Sequence, residues 1–320
     1  MTTTTLFILG ASGDLTSRLL LPALAAVIAK HPDRELALRG AGTEPWDAAT
    51  WEQTVTAAFA EHPEALQRLR IDDYVAVDVT DPEAMAALVA GLSTDTVLYF
   101  ALPPAVTRAA IDAMSGLRLP VNTCMALEKP FGEDEASAEL LNTNLLALVR
   151  EQSIFRIDHF LGRSMLLNLL GVRLANRMWE PVWSAEHIEH VLIRFDESLG
   201  RDNRARYYDT AGAMVDMIQS HLLQVLGLLA MDPPATLGEH DLRDAKATVL
   251  RATHVWGDDP KTASRRARYT AGRVGDRELP SYVDEAGVDA ARQTETLAEV
   301  TFEVANDRWA GVPFVLRSGK

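Results

Sequence analysis

The chain has one cysteine, Cys124, in 320 residues. A lone thiol cannot close an internal disulfide, and such usage fits a reducing compartment. Positive charge is in deficit: 31 Lys and Arg stand against 45 Asp and Glu, a net charge of −14. That balance argues against nucleic acid or an anionic membrane surface as partner, while leaving room for one local basic pocket. Long apolar runs are also missing. Leu6-Phe7-Ile8-Leu9, after Met1 and four threonines, is too short for a signal-peptide core and has no basic residue before it. No stretch approaches the ~18 uninterrupted apolar residues of a membrane span, and the greasiest text, Leu222 to Met231, is broken by Gln224 and Gly227. A cytoplasmic chain without a membrane partner is expected. No His or Cys pair has metal-ligand spacing, so no metal is expected. A nucleophile elbow, a Walker-type phosphate loop and internal repeats are absent as well.

What is present is an alternation. Leu6–Leu9, Leu36–Leu38, Tyr74–Val79, Val97–Ala101 and Cys124–Leu127 read as strands. Ser17–Lys30, Trp46–Phe59, Pro82–Ala90, Ala105–Met114 and Glu133–Val149 between them have helical spacing. This predicts an α/β fold: an N-terminal Rossmann-type, doubly wound parallel sheet that binds its ligand at the carboxyl ends of the strands. Near Phe155 the rhythm changes. A helix over Ser164–Ala175, a strand over Ile188–Phe195, a helix over Ala213–Met231 and strands at Thr296–Val304 and from Pro313 predict a C-terminal α+β domain with a mainly antiparallel sheet. Residues 248–285 are polar and rich in Arg, Asp and Gly, with few periodic apolar positions. The expected domains are residues 1–158, binding a dinucleotide, and 159–320, binding substrate.

Gly10-Ala11-Ser12-Gly13-Asp14-Leu15-Thr16 follows the first strand and opens a helix. Glycines let the backbone approach a pyrophosphate, and the helix start offers unpaired N–H groups. The second strand should end near an adenosine ribose, where Thr43-Glu44 places a carboxylate that would accept from the hydroxyls and repel a 2′-phosphate. Pro103, in Ala101-Leu102-Pro103-Pro104, should line the nicotinamide side. Lys129, in Glu128-Lys129-Pro130-Phe131-Gly132, should point into the crevice from the end of the last strand, its ammonium bridging cofactor and substrate hydroxyls. Each of these features alone also suits an ordinary turn.

The densest polar stretch is Arg156-Ile157-Asp158-His159-Phe160-Leu161-Gly162-Arg163, at the expected domain junction. A second imidazole, His221, sits in an apolar helix five residues after Asp216. A neutral imidazole in such a helix is costly unless its N–H has a partner. A carboxylate beside it would fix the tautomer and stabilise the imidazolium formed when the ring takes a proton.

Seven segments, Gly10–Thr16, Ala101–Pro104, Glu128–Gly132, Arg156–Arg163, Asn176 to Trp183, Tyr208–Gln224 and Arg308–Lys320, resemble the glucose-6-phosphate dehydrogenase family over essentially the whole chain. The resemblance implies oxidation of glucose 6-phosphate at C1 with hydride transfer to NAD or NADP. It implies His221 as the base and Asp158 as its orienting partner. His159 and Arg163 would hold the phosphate. Lys129, Glu197, Asp216 and Lys320 would bind sugar hydroxyls or reach towards the phosphate. A homodimer or homotetramer is implied too. Three places depart from the family pattern. Phe160 replaces a tyrosine whose hydrogen bond to the phosphate would be worth roughly 1.5–3 kcal/mol. Arg163 replaces a lysine and adds a bidentate fork. Thr43-Glu44 replaces the arginine that reads a 2′-phosphate, so the cofactor leans to NAD. The chain also ends earlier than the resemblance implies. The second domain is expected to be incomplete, and Lys320, at the last position, hard to hold in place. Two other readings stay open from the residues: another sugar dehydrogenase carrying Glu-Lys-Pro, and a non-catalytic nucleotide-binding regulator.

Overall fold

The computed structural model describes residues 4–93, 95–132, 134–197 and 205–320. It divides into two units, Met1–Ile157 and Asp158–Lys320. Asp158 therefore opens the second unit, one residue from the expected boundary. The reason is local: the first sheet runs on to Ile157, while Asp158 turns to partners at Phe160 and His221.

In the first unit, β1 (Thr4–Leu9), β2 (Leu36–Gly42), β3 (Leu69–Ala76), β4 (Thr96–Phe100), β5 (Cys124–Glu128) and β6 (Ile154–Ile157) form one sheet in the order β3-β2-β1-β4-β5-β6. Every pairing is parallel. A π-helical turn (Thr16–Leu20) leads into α1 (Leu21–Lys30), and α2 (Ala48–Ala58), α3 (Pro82–Ala90), α4 (Pro104–Ala113) and α5 (Glu135–Leu148) supply the other crossovers. The helices start where side chains satisfy the free N–H groups of the first turn. Asp47 accepts from Thr50 N, Asp81 from Glu83 N, and Asp134 forms a capping box with Ser137. Glu133, the expected first residue of α5, lies outside the described residues. Two apolar clusters bury the strands from opposite sides, one around Phe7, Phe100 and Met125, the other around Ile8, Leu38 and Trp51. Strand β6 was not legible, because Arg156 interrupts a run of only four residues. Its backbone instead finds β5, with Glu128 opposite Ile157.

The second unit begins with α6 (Ser164–Ala175) and β7 (Val191–Asp196). A long helical segment follows: α7 (Ala205–Ala213), a π-helical stretch over Met214–Leu222, and α8 (Leu223–Ala230). Then come α9 (Glu239–Arg251), β8 (Thr253–Val255), α10 (Pro260–Ala263), β9 (Ser264–Ala267), the hairpin β10 (Gly272–Val274) and β11 (Arg277–Leu279), β12 (Leu297–Val304) and β13 (Phe314–Gly319). The main sheet runs β7-β13-β12-β8, and β9 also pairs β12. All its pairings are antiparallel except β13 with β7. Helix α9 was missed because its apolar positions are outnumbered by charge. It buries only Val249 fully, packing against α8.

The stretch Tyr208–Ala230 is long and apolar enough, by length and composition, to cross a membrane, and 56% of its apolar window is buried inside the protein. Ile218, Leu222, Leu226 and Leu228 share one buried apolar cluster with Val300 of β12 and Phe314 and Leu316 of β13. At its C-terminus the last carbonyls have no helical partner. Side chains from elsewhere in the unit fill that need. Arg173 donates to Leu228 O (3.1 Å) and to Met231 O, Trp183 Nε1 to Leu229 O (2.9 Å), and Trp309 Nε1 to Ala230 O (2.8 Å). At the other end, the Glu295 carboxylate accepts from Met214 N (2.9 Å). Gly212, at φ +65°, makes room for it, since a Cβ there would lie 2.5 Å from Glu295 Oε1. A Trp309→Phe change keeps an aromatic ring but strands the Ala230 carbonyl. It should cost ~1–3 kcal/mol, read as a lower urea midpoint at unchanged slope.

Candidate active site

In the first unit the sheet order reverses between β1 and β4, the position where ligands bind in such folds. Gly10 turns at φ +91°, where a Cβ would sit 2.3 Å from Ala101 O. Its N–H and that of Ala11 both donate to Ala41 O at 2.8 Å. Gly13 N (3.0 Å) and the buried Thr16 hydroxyl (3.0 Å) both donate to Gly10 O, closing the loop on itself. Ala11 and Leu15 turn their side chains into the core, and the exposed Asp14 carboxylate pairs with Arg18 at 3.1 Å. The helix starts directly after the loop, so its first N–H groups face whatever the loop holds.

The neighbouring strand ends frame this loop. Gly42 lies so close to Ser12 that a Cβ there would come within 2.5 Å of the Ser12 hydroxyl. Tyr74 donates to Glu44 O (2.9 Å), and its hydroxyl and that of Ser12 both crowd Gly42. Thr43 and Glu44 are exposed, and Pro103 caps the start of α4. Lys129 is half-buried after β5, joined to Pro130 by a cis peptide. Before it, the Glu128 carboxylate accepts from Tyr99 at 2.5 Å. Burial, then Glu128, pushes the Tyr99 hydroxyl far above its ordinary range. A tight loop with bare glycines at 10 and 13, a helix start directly after it and flanking strand ends fit a dinucleotide pyrophosphate.

In the second unit His221 Nδ1 lies 2.6 Å from Asp158 Oδ1. Both side chains are largely buried. The ring N–H does not point straight along that line, since Nδ1 finds no linear hydrogen bond. The separation itself leaves the two groups in charge contact. Asp158 Oδ1 also accepts from Phe160 N (2.9 Å). Burial alone would raise the Asp158 carboxyl, but His221, the Phe160 N–H and His159 together hold it below the ordinary carboxylate range. The His159 ring meets His221 edge-on at 5.4 Å, and Phe160 stacks on its face at 5.0 Å. Arg163 is exposed at the start of α6.

The π-helical stretch matters here. Five residues on an α-helix turn about 140° past one another; the i→i+5 pattern brings Asp216 and His221 nearer to one face. Around the same helix, Lys320 pairs with Glu197 and sits 5.1 Å above the Tyr208 ring. Lys320 is held after all: its own N–H donates to Thr296 O (2.9 Å), because β13 stays in register with β12 to its end. Burial first, then Asp216, Glu295, Tyr282 and Glu197, push the Tyr208 hydroxyl far up. Among the described residues, no group of three or more His, Cys, Asp or Glu could hold a metal.

Sequence reasoning missed Tyr208, Phe195 and Lys246. Tyr208 borders Lys320, and Phe195 meets Phe160 edge-on at 5.0 Å. Lys246 Nζ donates to Gln224 Oε1 (3.0 Å) and feels the Asp158 charge. No motif marks these residues. Only the polar face of α9 could have pointed to the lysine.

A doubly wound dinucleotide fold in one unit and a buried carboxylate–imidazole pair in the other define a nicotinamide-dependent oxidoreductase. The profile described as "Glucose-6-phosphate dehydrogenase, NAD binding domain" matches residues 7–168, and "Glucose-6-phosphate dehydrogenase, C-terminal domain" matches residues 170–320. The chain belongs to the glucose-6-phosphate dehydrogenase family. It is similar to the glucose-6-phosphate 1-dehydrogenase of Mycolicibacterium smegmatis, at 38% identity over 98% of this chain and 67% of that protein. The Bacillus subtilis enzyme is 34% identical with the same coverage. The crystal structure of the Mycobacterium avium enzyme superposes with a TM-score of 0.84 at 32% identity, covering 100% of this chain and 70% of that one. A glucose-6-phosphate dehydrogenase solved in complex with glucose 6-phosphate gives a TM-score of 0.84 at 30% identity, again over 100% and 70%. The chain spans about two thirds of the length of these curated relatives.

Gly10→Ala tests the loop. A methyl would collide with the Ala101 carbonyl at an unfavourable φ. The Kd for nicotinamide cofactor, measured by fluorescence quenching, should rise at least about tenfold (~1.4 kcal/mol) with the urea midpoint reported alongside.

Proposed function

We propose that this chain oxidises glucose 6-phosphate at C1 to the 6-phosphogluconolactone, the first step of the oxidative pentose phosphate route. The observation that carries the proposal is the buried 2.6 Å contact of His221 with Asp158 in a chain of this family. His221 takes the proton of the C1 hydroxyl, and Asp158 orients the ring and stabilises the imidazolium. Such base catalysis contributes ~10²–10⁴-fold. When bound, the nicotinamide accepts the hydride from C1. His159 and Arg163 hold the phosphate, Arg163 through its planar fork. Glu197, Asp216 and Lys320 bind sugar hydroxyls, with the Glu197–Lys320 pair opening to do so. Lys129 serves cofactor and sugar hydroxyls from the end of β5. The first unit, up to Ile157, holds the dinucleotide, and the second, from Asp158, holds the substrate. The working form is a cytoplasmic homodimer or homotetramer, a reading supported by family membership.

His221→Asn tests the base. It should lower kcat by two orders of magnitude or more while the Kd for glucose 6-phosphate changes less than about threefold. An unchanged kcat, followed as nicotinamide reduction, would rule the assignment out.

We propose NAD as the preferred cofactor. Supporting this, Thr43 and Glu44 are exposed after β2 without an arginine. The arginine within β2, Arg39, is engaged: it forks onto Asp73 (2.8 and 3.0 Å), donates to Gly91 O and lies over the Phe7 ring. Wild-type kcat/KM should favour NAD, and Thr43→Arg should move the ratio towards NADP by about tenfold. A large wild-type preference for NADP would sink the proposal.

A further inference from the structure

Phe160 was expected to mark a lost hydroxyl and nothing more. In the structure it is buried, with 2% of its surface exposed, and it makes three directed contacts. Its ring stacks on His221 at 5.0 Å with 25° between the planes. Its edge meets Phe195 of β7 at 5.0 Å and 87°. The Arg163 guanidinium carbon lies 5.1 Å from its centroid and 4.9 Å from that of Phe195. Two perpendicular rings thus form a corner, and the guanidinium rests in it. Both separations fall within the ~6 Å reach of a cation–π contact. Among the described residues no carboxylate pairs with Arg163, so its N–H groups stay available to an anion. The backbone N–H of Phe160 also holds Asp158 Oδ1 at 2.9 Å.

We infer that Phe160 and Phe195 form an aromatic cradle that positions Arg163 for the substrate's phosphate, and that Phe160 links this cradle to the ring plane of His221. The inference rests on the roles proposed above for Arg163 and His221. The physical case has two parts. A free arginine side chain loses considerable rotamer freedom when it engages an anion. Rings that already hold the guanidinium against their faces restrict the side chain before the anion arrives, so less order remains to be imposed on binding. A ring packed on the imidazole restricts its rotation, and Asp158 fixes the remaining direction from the same residue's N–H. A guanidinium spreads over a ring face as an ammonium does not. Phe160 and Phe195 are positioning residues in this account, Phe160 for both Arg163 and His221 and Phe195 for Arg163, and only Arg163 touches substrate.

Phe195 reaches Arg163 and Phe160 but not His221, which gives the test its split. Phe195→Leu should weaken glucose 6-phosphate binding in calorimetry by about three- to tenfold and lower kcat less than threefold. In an Arg163→Ala background the same change should cost less than twofold. Phe195→Tyr, which keeps a ring, should restore affinity to within about twofold. Phe160→Leu should weaken binding similarly and also lower kcat about tenfold, with Phe160→Tyr restoring kcat. If Phe160→Leu loses its cooperative thermal transition, Phe160→Met takes its place. A Phe195→Leu penalty that persists without Arg163, or equal kcat losses in the Phe160 and Phe195 variants, would overturn the cradle. Wild-type protein that binds glucose 6-phosphate without reducing nicotinamide would overturn the proposed function instead. The calorimetric cycle would still decide the cradle.

Discussion

A buried helix end leaves carbonyls that water cannot reach, and the second unit is organised around satisfying three of them. Leu228, Leu229 and Ala230 end the helix that carries His221, and Arg173, Trp183 and Trp309 each donate to one of them. Those donors come from α6, from the segment before β7 and from the turn before β13. Satisfying one helix end therefore pulls together elements far apart in sequence. Glu295 does the same at the other end, through a space that only glycine at 212 leaves open. A helix held at both termini cannot slide along the sheet, and His221 inherits that fixity. The polar groups cost several kcal/mol each if left dry, so the clamp is strict.

The charge pair is the second layer of the same logic. A carboxylate as buried as Asp158 would tend to take up a proton. The imidazole of His221, the N–H of Phe160 and the nearby His159 outweigh that tendency. Lys246, reaching over from α9 and held by Gln224, adds a further cation in the neighbourhood. Stability from Asp158 has a definite sign. Its folded value lies below the ordinary 3.8, so the contribution is complete above that pH and is lost as pH falls through the depressed folded value. Neutral and mildly acidic conditions thus keep the Asp158 carboxylate ionised.

The first unit solves a simpler problem. Its loop must come close to a ligand, and contact within the protein already demands small residues at the same places. Gly10 yields to the Ala101 carbonyl and Gly42 to Ser12. Tyr74 then holds the corner after β2 through Glu44 O, beside the Ser12 side chain of the glycine loop. Arg39, forked onto Asp73, is committed to the sheet edge.

The parallel sheet, the glycine loop, the helix over Ser164–Ala175 and the family were legible in the sequence, because each rests on local periodicity or on contiguous motifs. Strand β6 and helix α9 were not: one is four residues split by an arginine, the other is too charged for its apolar stripe to stand out. The aspartate and the imidazole could be named from their types, yet nothing in the text gives the 2.6 Å between residues 158 and 221. Lys320 looked unsupported at the last position, and strand register with β12 holds it. Phe160 read as a missing hydroxyl, and packing makes it the ring between Arg163 and His221. By itself the sequence determined which backbone segments pair or coil, since those preferences act between near neighbours. Only the tertiary structure decided which distant side chains share a site, because that depends on how buried polar groups find partners across the fold.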